Sequence, residues 1–274
     1  MRRTSRRPDA PPRAALARLL AVPALLTGLA AAVAVAAEAS HEVEGRRSGW
    51  LYNSPETQAL QDDEFINPGM FAVERGRTLW STPEGSAGKS CASCHEEGSM
   101  RGVAARYPVY DEKRGGLVDL TTRVNLMRTE LMGAPALGYE AADMLAMTAY
   151  LGRESLGMPM QVAVDGPARP FFEEGRAFYF ARRGQLNLSC AQCHDDLAGR
   201  KLRGDTISQG QINGFPIYRL LWRAMGSRHR MFEWCNTSLR AEPYPAGSRE
   251  YLSLELYVAW RGRGLPIETP AVRR

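Results

Sequence analysis

The sequence predicts an all-α fold made of two similar helical units, joined by a proline- and glycine-rich connection and wrapped in much irregular chain. Three observations predict it. A Cys-x-x-Cys-His motif occurs twice, as Cys91-Ala-Ser-Cys94-His95 and as Cys190-Ala-Gln-Cys193-His194. A similar segment precedes each motif: Glu74-Arg-Gly76-Arg-Thr-Leu-Trp80 before the first, Glu174-Gly175-Arg-Ala-Phe-Tyr-Phe180 before the second. Gly76 and Gly175 each lie fifteen residues ahead of their motif's first cysteine. Downstream, Leu145-Ala-Met-Thr-Ala-Tyr150-Leu parallels Leu252-Ser-Leu-Glu-Leu-Tyr257-Val. Each unit therefore reads as helix, motif, irregular wrap and helix, and the pair as an internal duplication.

The elements follow in order. Residues 1–39 begin with Arg2, Arg3, Arg6, Arg7 and Arg13, continue as an almost wholly apolar run from Ala14 to Ala37, and offer Ala-x-Ala exits at Ala36 or Ala39. That is the pattern of a cleaved secretory signal. The run approaches the length of a membrane span, but Pro23 and the small-residue boundary favour cleavage over an anchor. Residues 40–66 are an extension without a clear period. The first unit is placed at residues 67–156, where Asn67-Pro68 reads as a helix start and Met144, Met147 and Leu151 share one face of a second helix. Residues 157–169 carry the punctuation of a linker. The second unit, residues 170–274, opens at Pro170, with Gly184 as the helix stop, and closes on a helix over 249–261 that groups Leu252, Leu256, Ala259 and Trp260.

Composition narrows the function. The 274 residues carry 35 basic and 30 acidic side chains, but the signal holds six arginines against two acids. Removing it leaves 29 basic and 28 acidic groups, so the basic balance belongs to export and no nucleic-acid partner is expected. Only Lys89, Lys113 and Lys201 are lysines, so nearly all positive charge is arginine, the side chain suited to oxyanions.

Each motif is the attachment sequence of a c-type haem. Its two thiols, Cys91 and Cys94 or Cys190 and Cys193, form thioethers to the porphyrin edge, and the next residue, His95 or His194, becomes the proximal iron ligand. A zinc site would need a closed four-ligand set, and a redox dithiol would not need the histidine twice. Two covalent haems and an exported chain place the mature protein in the periplasm. The arrangement resembles class I cytochromes c, whose first and last helices cross with a glycine against an aromatic. Gly76 with Tyr150, and Gly175 with Tyr257, would be those contacts.

Four of the five cysteines belong to the motifs, and Cys235 is left over. Met127 lies 23 residues before Tyr150 and Cys235 lies 22 before Tyr257, and each precedes a proline (Pro135, Pro243) by eight. Met127 and Cys235 are therefore the candidates for the distal iron position of the first and second haem, with Met132 and Met100 as rivals to Met127. Thioether is neutral and raises a haem potential, whereas thiolate is anionic and lowers it. Cys235 is also the candidate nucleophile.

Both motifs, together with the stretch Tyr218-Arg-Leu-Leu-Trp-Arg-Ala-Met-Gly-Ser-Arg-His-Arg-Met-Phe-Glu-Trp-Cys235-Asn-Thr-Ser-Leu-Arg-Ala-Glu-Pro-Tyr244, resemble the SoxA family, the dihaem subunits of the SoxAX cytochromes of bacterial sulfur oxidation. The resemblance covers almost the whole mature chain. It implies an L-cysteine S-thiosulfotransferase that joins thiosulfate oxidatively to a cysteine of the carrier SoxYZ and passes electrons to the monohaem partner SoxX. It also implies that Cys235 ligates the second haem and carries a persulfide. In the family a cysteine commonly stands where this chain has Met127, within Asn125-Leu126-Met127-Arg128. For the substrate dianion, Arg223, Arg228, Arg230 and Arg240 cluster around Cys235 in sequence. Arg230 is expected first and Arg240 second, while the place four residues before Cys235, where the family tends to have a further arginine, is Met231. His229 is a candidate proton shuttle or a structural histidine. The competing function is a dihaem electron carrier without bond-making chemistry.

Overall fold

The computed structural model describes residues 40–96 and 98–274. The export signal read at residues 1–39 lies outside the described residues. Among the described residues no helix is long and apolar enough to cross a membrane.

The chain begins with a hairpin, β1 (Glu42–Val43) with β2 (Arg46–Arg47), and a first helix, α1 (Pro55–Asp62). No hydrophobic period announced α1; it is set by its start, where the Ser54 hydroxyl accepts from the Thr57 amide and proline occupies the first turn. The extension is tied to the far end of the chain. Asn53 Nδ2 donates to the Val272 carbonyl at 3.0 Å, and His41 Nδ1 lies 2.8 Å from Glu268 Oε1 while stacking on Trp50.

The first helix pair is α2 (Met70–Ser81), which follows α1, and α4 (Ala142–Arg153). Between them come the hairpin of β3 (Val109–Asp111) and β4 (Gly116–Val118), and α3 (Leu120–Met127). The second pair is α5 (Arg169–Phe180) and α8 (Arg249–Arg261). Between these lie α6 (Cys190–His194), a small hairpin of β5 (Lys201–Leu202) and β6 (Asp205–Thr206), the hairpin of β7 (Ile217–Arg219) and β8 (Ala224–Gly226), and α7 (Arg228–Ser238). A last strand, β9 (Ala271–Arg273), runs parallel to β7 and completes a three-stranded sheet in the order β8-β7-β9. Helices dominate, as expected, but nine short strands supplement them among the described residues. Met127 and Cys235 stand on helices rather than in irregular wrap.

Glycine makes both crossings. A Cβ on Gly76 would collide with the Ala146 carbonyl oxygen and come within 2.7 Å of Tyr150 Cβ; on Gly175 it would collide with the Ser253 carbonyl oxygen and come within 3.0 Å of Tyr257 Cβ. Each pair thus packs backbone against backbone, with the paired tyrosine beside the contact. Two hydrophobic clusters surround the crossings. One gathers Trp80, Leu120, Val124, Met144, Met147 and Leu151; the other is more aromatic, with Phe171, Phe172, Tyr179, Tyr251 and Tyr257.

Some boundaries differ from the sequence reading. Helix α2 starts at Met70 rather than at Pro68, because Asn67 Oδ1 accepts from the Gly69 amide while its Nδ2 donates to the carbonyls of Gln61 and Pro270. Helix α5 stops at Phe180, and Gly184 instead forms the turn beyond it, packed under the Leu239 carbonyl. Residues 157–169 are bound to the C-terminal segment: the Gly157 amide donates to the Ile267 carbonyl, the Met160 amide donates to that of Leu265, and Met160 is buried.

Candidate functional site

Each Cys-x-x-Cys-His motif is bent into a helical turn by a reciprocal cap. In the second, Ser189 Oγ accepts from the Gln192 amide at 3.3 Å while Gln192 Oε1 accepts from the Ser189 amide at 3.0 Å. In the first, Ser90 and Ser93 exchange the same bonds. Helical winding carries the two cysteines and the histidine round a single turn, so they present to one edge.

The ring of His194 is oriented from behind. Nδ1 lies 2.8 Å from the Ser208 carbonyl oxygen, which can only accept, so Nδ1 carries the proton and Nε2 keeps its lone pair. Gly210, at φ 69°, lets the backbone press against the ring; a Cβ there would come within 2.9 Å of the imidazole. Burial pushes the His194 pKa down, which keeps the imidazole neutral. A neutral imidazole with its outer nitrogen free, beside two thiols, is the donor set that a c-type haem requires, and these residues fit it.

Cys235 is half-buried on α7, eight residues after Ser227, which caps that helix by accepting from the Arg230 amide at 3.2 Å. The fold brings its sulfur to the second motif. Burial pushes the Cys235 thiol up to about 11, and a negative charge on Cys193 pushes the same way. Burial likewise pushes Cys190 up to about 12, with Cys235 as the next contributor. The three sulfurs therefore share one electrostatic neighbourhood, although Cys235 is 45 residues from Cys190 in sequence.

The same geometry holds on the other side. Asp119 caps α3 by accepting from the Thr122 amide at 2.7 Å, and eight residues later Met127 closes that helix. The next residue, Arg128, is buried, pairs with Glu84 Oε2 at 2.7 Å, and favours the anionic form of the Cys91 thiol against the effect of burial. Met127 is half-buried, Met132 is 4 % exposed, and Met100 sits at the edge of the Trp80 cluster. His95 lies against Trp80, their rings 5.6 Å apart.

The arginines expected to face Cys235 each have other partners in the fold. Arg230 stacks over Trp222 at 4.2 Å, donates to the Met225 carbonyl at 3.2 Å and faces Glu140 at 3.9 Å. Arg240, at φ 55°, donates to Gln185 Oε1 at 3.4 Å and lines an open groove of about 540 Å³ with Arg183, Glu242 and Tyr244. Arg183 stacks on Phe178 and Tyr244 and lowers the pKa of Cys190. Arg223 sits at the turn between β7 and β8, and Arg228 is paired with Glu255. The cation that does act on Cys235 is Arg219, sixteen residues upstream on β7. Its sequence signal was faint: an arginine in an apolar strand, with Trp222 and Trp234 to come.

A second polar cluster is fully buried. Asp119, His229 and Glu255 bring ligand atoms within 4.8 Å of one another. His229 Nδ1 accepts from the Gly247 amide at 2.9 Å, so Nε2 holds the proton and meets Glu255 Oε2 at 3.0 Å. Arg228 Nη1 lies 2.7 Å from the other Glu255 oxygen. A metal ion would have to displace that proton and sit beside a guanidinium, so the cluster braces α3, α7 and α8 instead. The Gly247 amide on one side of the ring and the Glu255 carboxylate on the other hold His229 in place, which suits a structural role.

The class is that of a cytochrome c. The family profile described as SoxA/TsdA, cytochrome c domain, matches residues 75–160, and the class carries covalently bound haem c. Over longer spans, the chain is 45 % identical to the L-cysteine S-thiosulfotransferase subunit SoxA of Pseudaminobacter salicylatoxidans, covering 87 % of this chain and 85 % of that one. It is 47 % identical to the Rhodovulum sulfidophilum subunit of the same name, over 83 % and 80 %. The crystal structure of SoxXA from P. pantotrophus superposes with a TM-score of 0.81 at 43 % identity, covering 84 % of this chain and 87 % of that chain. The chain belongs to the SoxA family of L-cysteine S-thiosulfotransferase subunits.

Proposed function

We propose that this chain is a periplasmic dihaem cytochrome c, built from two cytochrome c-like domains by duplication, that couples thiosulfate oxidatively to a cysteine of the carrier SoxYZ. The observation that carries the reading is the placement of Cys235 beside both thiols of the second motif. In it, Cys91, Cys94, His95 and Met127 would hold one haem, and Cys190, Cys193, His194 and Cys235 would hold the other. Haem bound there supplies a one-electron acceptor beside a sulfur atom.

The chain's own groups then have separate tasks. His194, neutral and anchored on Ser208, presents Nε2. Cys235, whose thiol burial disfavours ionisation, becomes anionic only next to positive charge and offers its sulfur as the nucleophile. Arg183 and Arg240 line a groove near Cys190 that suits the carboxylate edge of the haem. In the net reaction a carrier thiol and thiosulfate form a sulfur–sulfur bond and lose one proton, and two electrons leave to the partner SoxX. The same two units without a reactive sulfur would be an electron relay.

Cys235→Ser separates the two. Intact mass and spectra of the purified variant are expected to show both haems, while thiosulfate-dependent electron release falls to background. Undiminished release would reduce the protein to a relay.

A further inference from the structure

Arg219 is held more firmly than it is hydrogen-bonded. Strand β7 fixes its backbone between Ala224 on β8 and Arg273 on β9. Its guanidinium lies 5.1 Å from the Trp222 ring and 5.0 Å from the Trp234 ring, and the two indoles meet edge-on at 6.0 Å. Such a cage needs a planar cation; a lysine ammonium would not fill it. The side chain is only 10 % exposed.

Its donors are poorly used. Nε donates to the Arg274 carbonyl at 2.9 Å, Nη2 is 3.6 Å from Asp205 Oδ2, and Nη1 donates to Met231 Sδ at 3.4 Å. A thioether is a weak acceptor. One strong acceptor within hydrogen-bond distance therefore serves a group with five N–H bonds. Met231 is four residues before Cys235 on α7, so the two side chains share a helix face about 6 Å apart. The under-used edge of Arg219 is thus on the Cys235 side of the helix. The cage opens at Trp234, which is 43 % exposed.

We infer that Arg219 is the substrate-binding residue for the sulfonate end of the anion: Nη1 leaves Met231 Sδ for a sulfonate oxygen, while Trp222 and Trp234 hold the guanidinium plane so that the outer sulfur lies at Cys235. This rests on the thiosulfate reading above. A charge-assisted bond to an oxyanion is stronger and shorter than one to a thioether, so the exchange runs downhill, and Met231 keeps the site in place until the anion arrives.

The test uses the purified haem-loaded chain with its cytochrome and carrier partners, measuring thiosulfate KM and kcat, with sulfate as an unreactive competitor. Arg219→Gln is expected to raise KM and the sulfate inhibition constant together by tenfold or more, with haem content unchanged. Arg219→Lys should recover part of the loss. Met231→Glu places an internal carboxylate against Arg219 and should raise KM likewise, and by clearly more than Met231→Leu does. A merely structural arginine would lower kcat or haem content and leave Met231→Glu no different from Met231→Leu. If Arg219→Gln fails to fold, Met231→Glu decides. Unchanged KM in Met231→Glu, with Cys235→Ser inactive, overturns this inference alone; full activity in Cys235→Ser overturns the thiosulfate reading with it.

Discussion

The two halves of the molecule solve the same packing problem and then part company. In each, a glycine lets one helix seat on the carbonyl of another, Gly76 on Ala146 and Gly175 on Ser253. Each follows its motif with a hairpin, a capped helix and a sulfur-bearing residue eight positions after the cap. Even the ion pairs that span the crossings correspond with reversed polarity, Arg75 to Asp143 in one and Glu174 to Arg249 in the other. The difference lies at the sulfur. Met127 is a neutral thioether followed by an arginine already neutralised by Glu84. Cys235 is an ionisable thiol facing an arginine clamped by two indoles and short of acceptors. On the function proposed above, the comparison teaches that scaffold and chemistry are separable: one helix position and one cation from a neighbouring strand would set the second half apart.

Exchanging the sulfurs attacks that claim most directly. Cys235→Met would make the second half resemble the first, and is expected to retain both haems, raise the second potential and abolish thiosulfate turnover. Met127→Cys is expected to lower the first potential without creating a second active centre, because the adjacent Arg128 is already paired with Glu84. Redox titration with the turnover assay reads both, and turnover surviving in Cys235→Met would refute the distinction.

Next in size is the buried brace, which among the described residues has no counterpart made of the first half alone. Glu255→Gln would leave Arg228 and His229 without their anion, and a loss of about 3–5 kcal/mol is expected in denaturant unfolding. The Glu255 carboxyl is held below its usual range, mainly by Arg228 and then by His229, against the opposing effect of burial. Its folded pKa being the lower one, its contribution is complete above the unfolded value of about 4.3 and disappears as pH falls through the folded pKa. The variant should therefore show less stability near neutrality and a smaller further loss in acid.

The smallest effects belong to the crossings themselves. Gly76→Ala and Gly175→Ala each force a methyl group onto a carbonyl oxygen, and each is expected to cost about 1–3 kcal/mol, read as a lower Tm with the haem count preserved. Similar losses would sharpen the equivalence of the halves, and a large inequality would break it.

Much of this was legible in the chain. The helix over 249–261 and the glycine–tyrosine contacts follow from periodicity and spacing, since a face buried every three to four residues leaves its mark on the sequence. Helix α1 was not legible, because Ser54, Pro55 and ties to distant residues hold it rather than an apolar stripe. Proximity in sequence does not by itself choose among the arginines. Arg230 and Arg240 lie nearest to Cys235 along the chain, yet Trp222, Met225 and Gln185 engage them, whereas Arg219 reaches the thiol's neighbourhood through the turn between β7 and β8.

By itself the amino-acid order determined the local and periodic features: two Cys-x-x-Cys-His motifs, a fifth cysteine, paired helices and the small residues where they touch. These are local, since each depends on residues within a few turns of one another. Only the tertiary structure decided which cation meets Cys235, that His229 is locked between Gly247 and Glu255, and that the N-terminal extension ties down the C-terminal strand. Charge and hydrogen bonding act through space over a few ångströms, and the chain alone does not record which distant residues folding will bring that close.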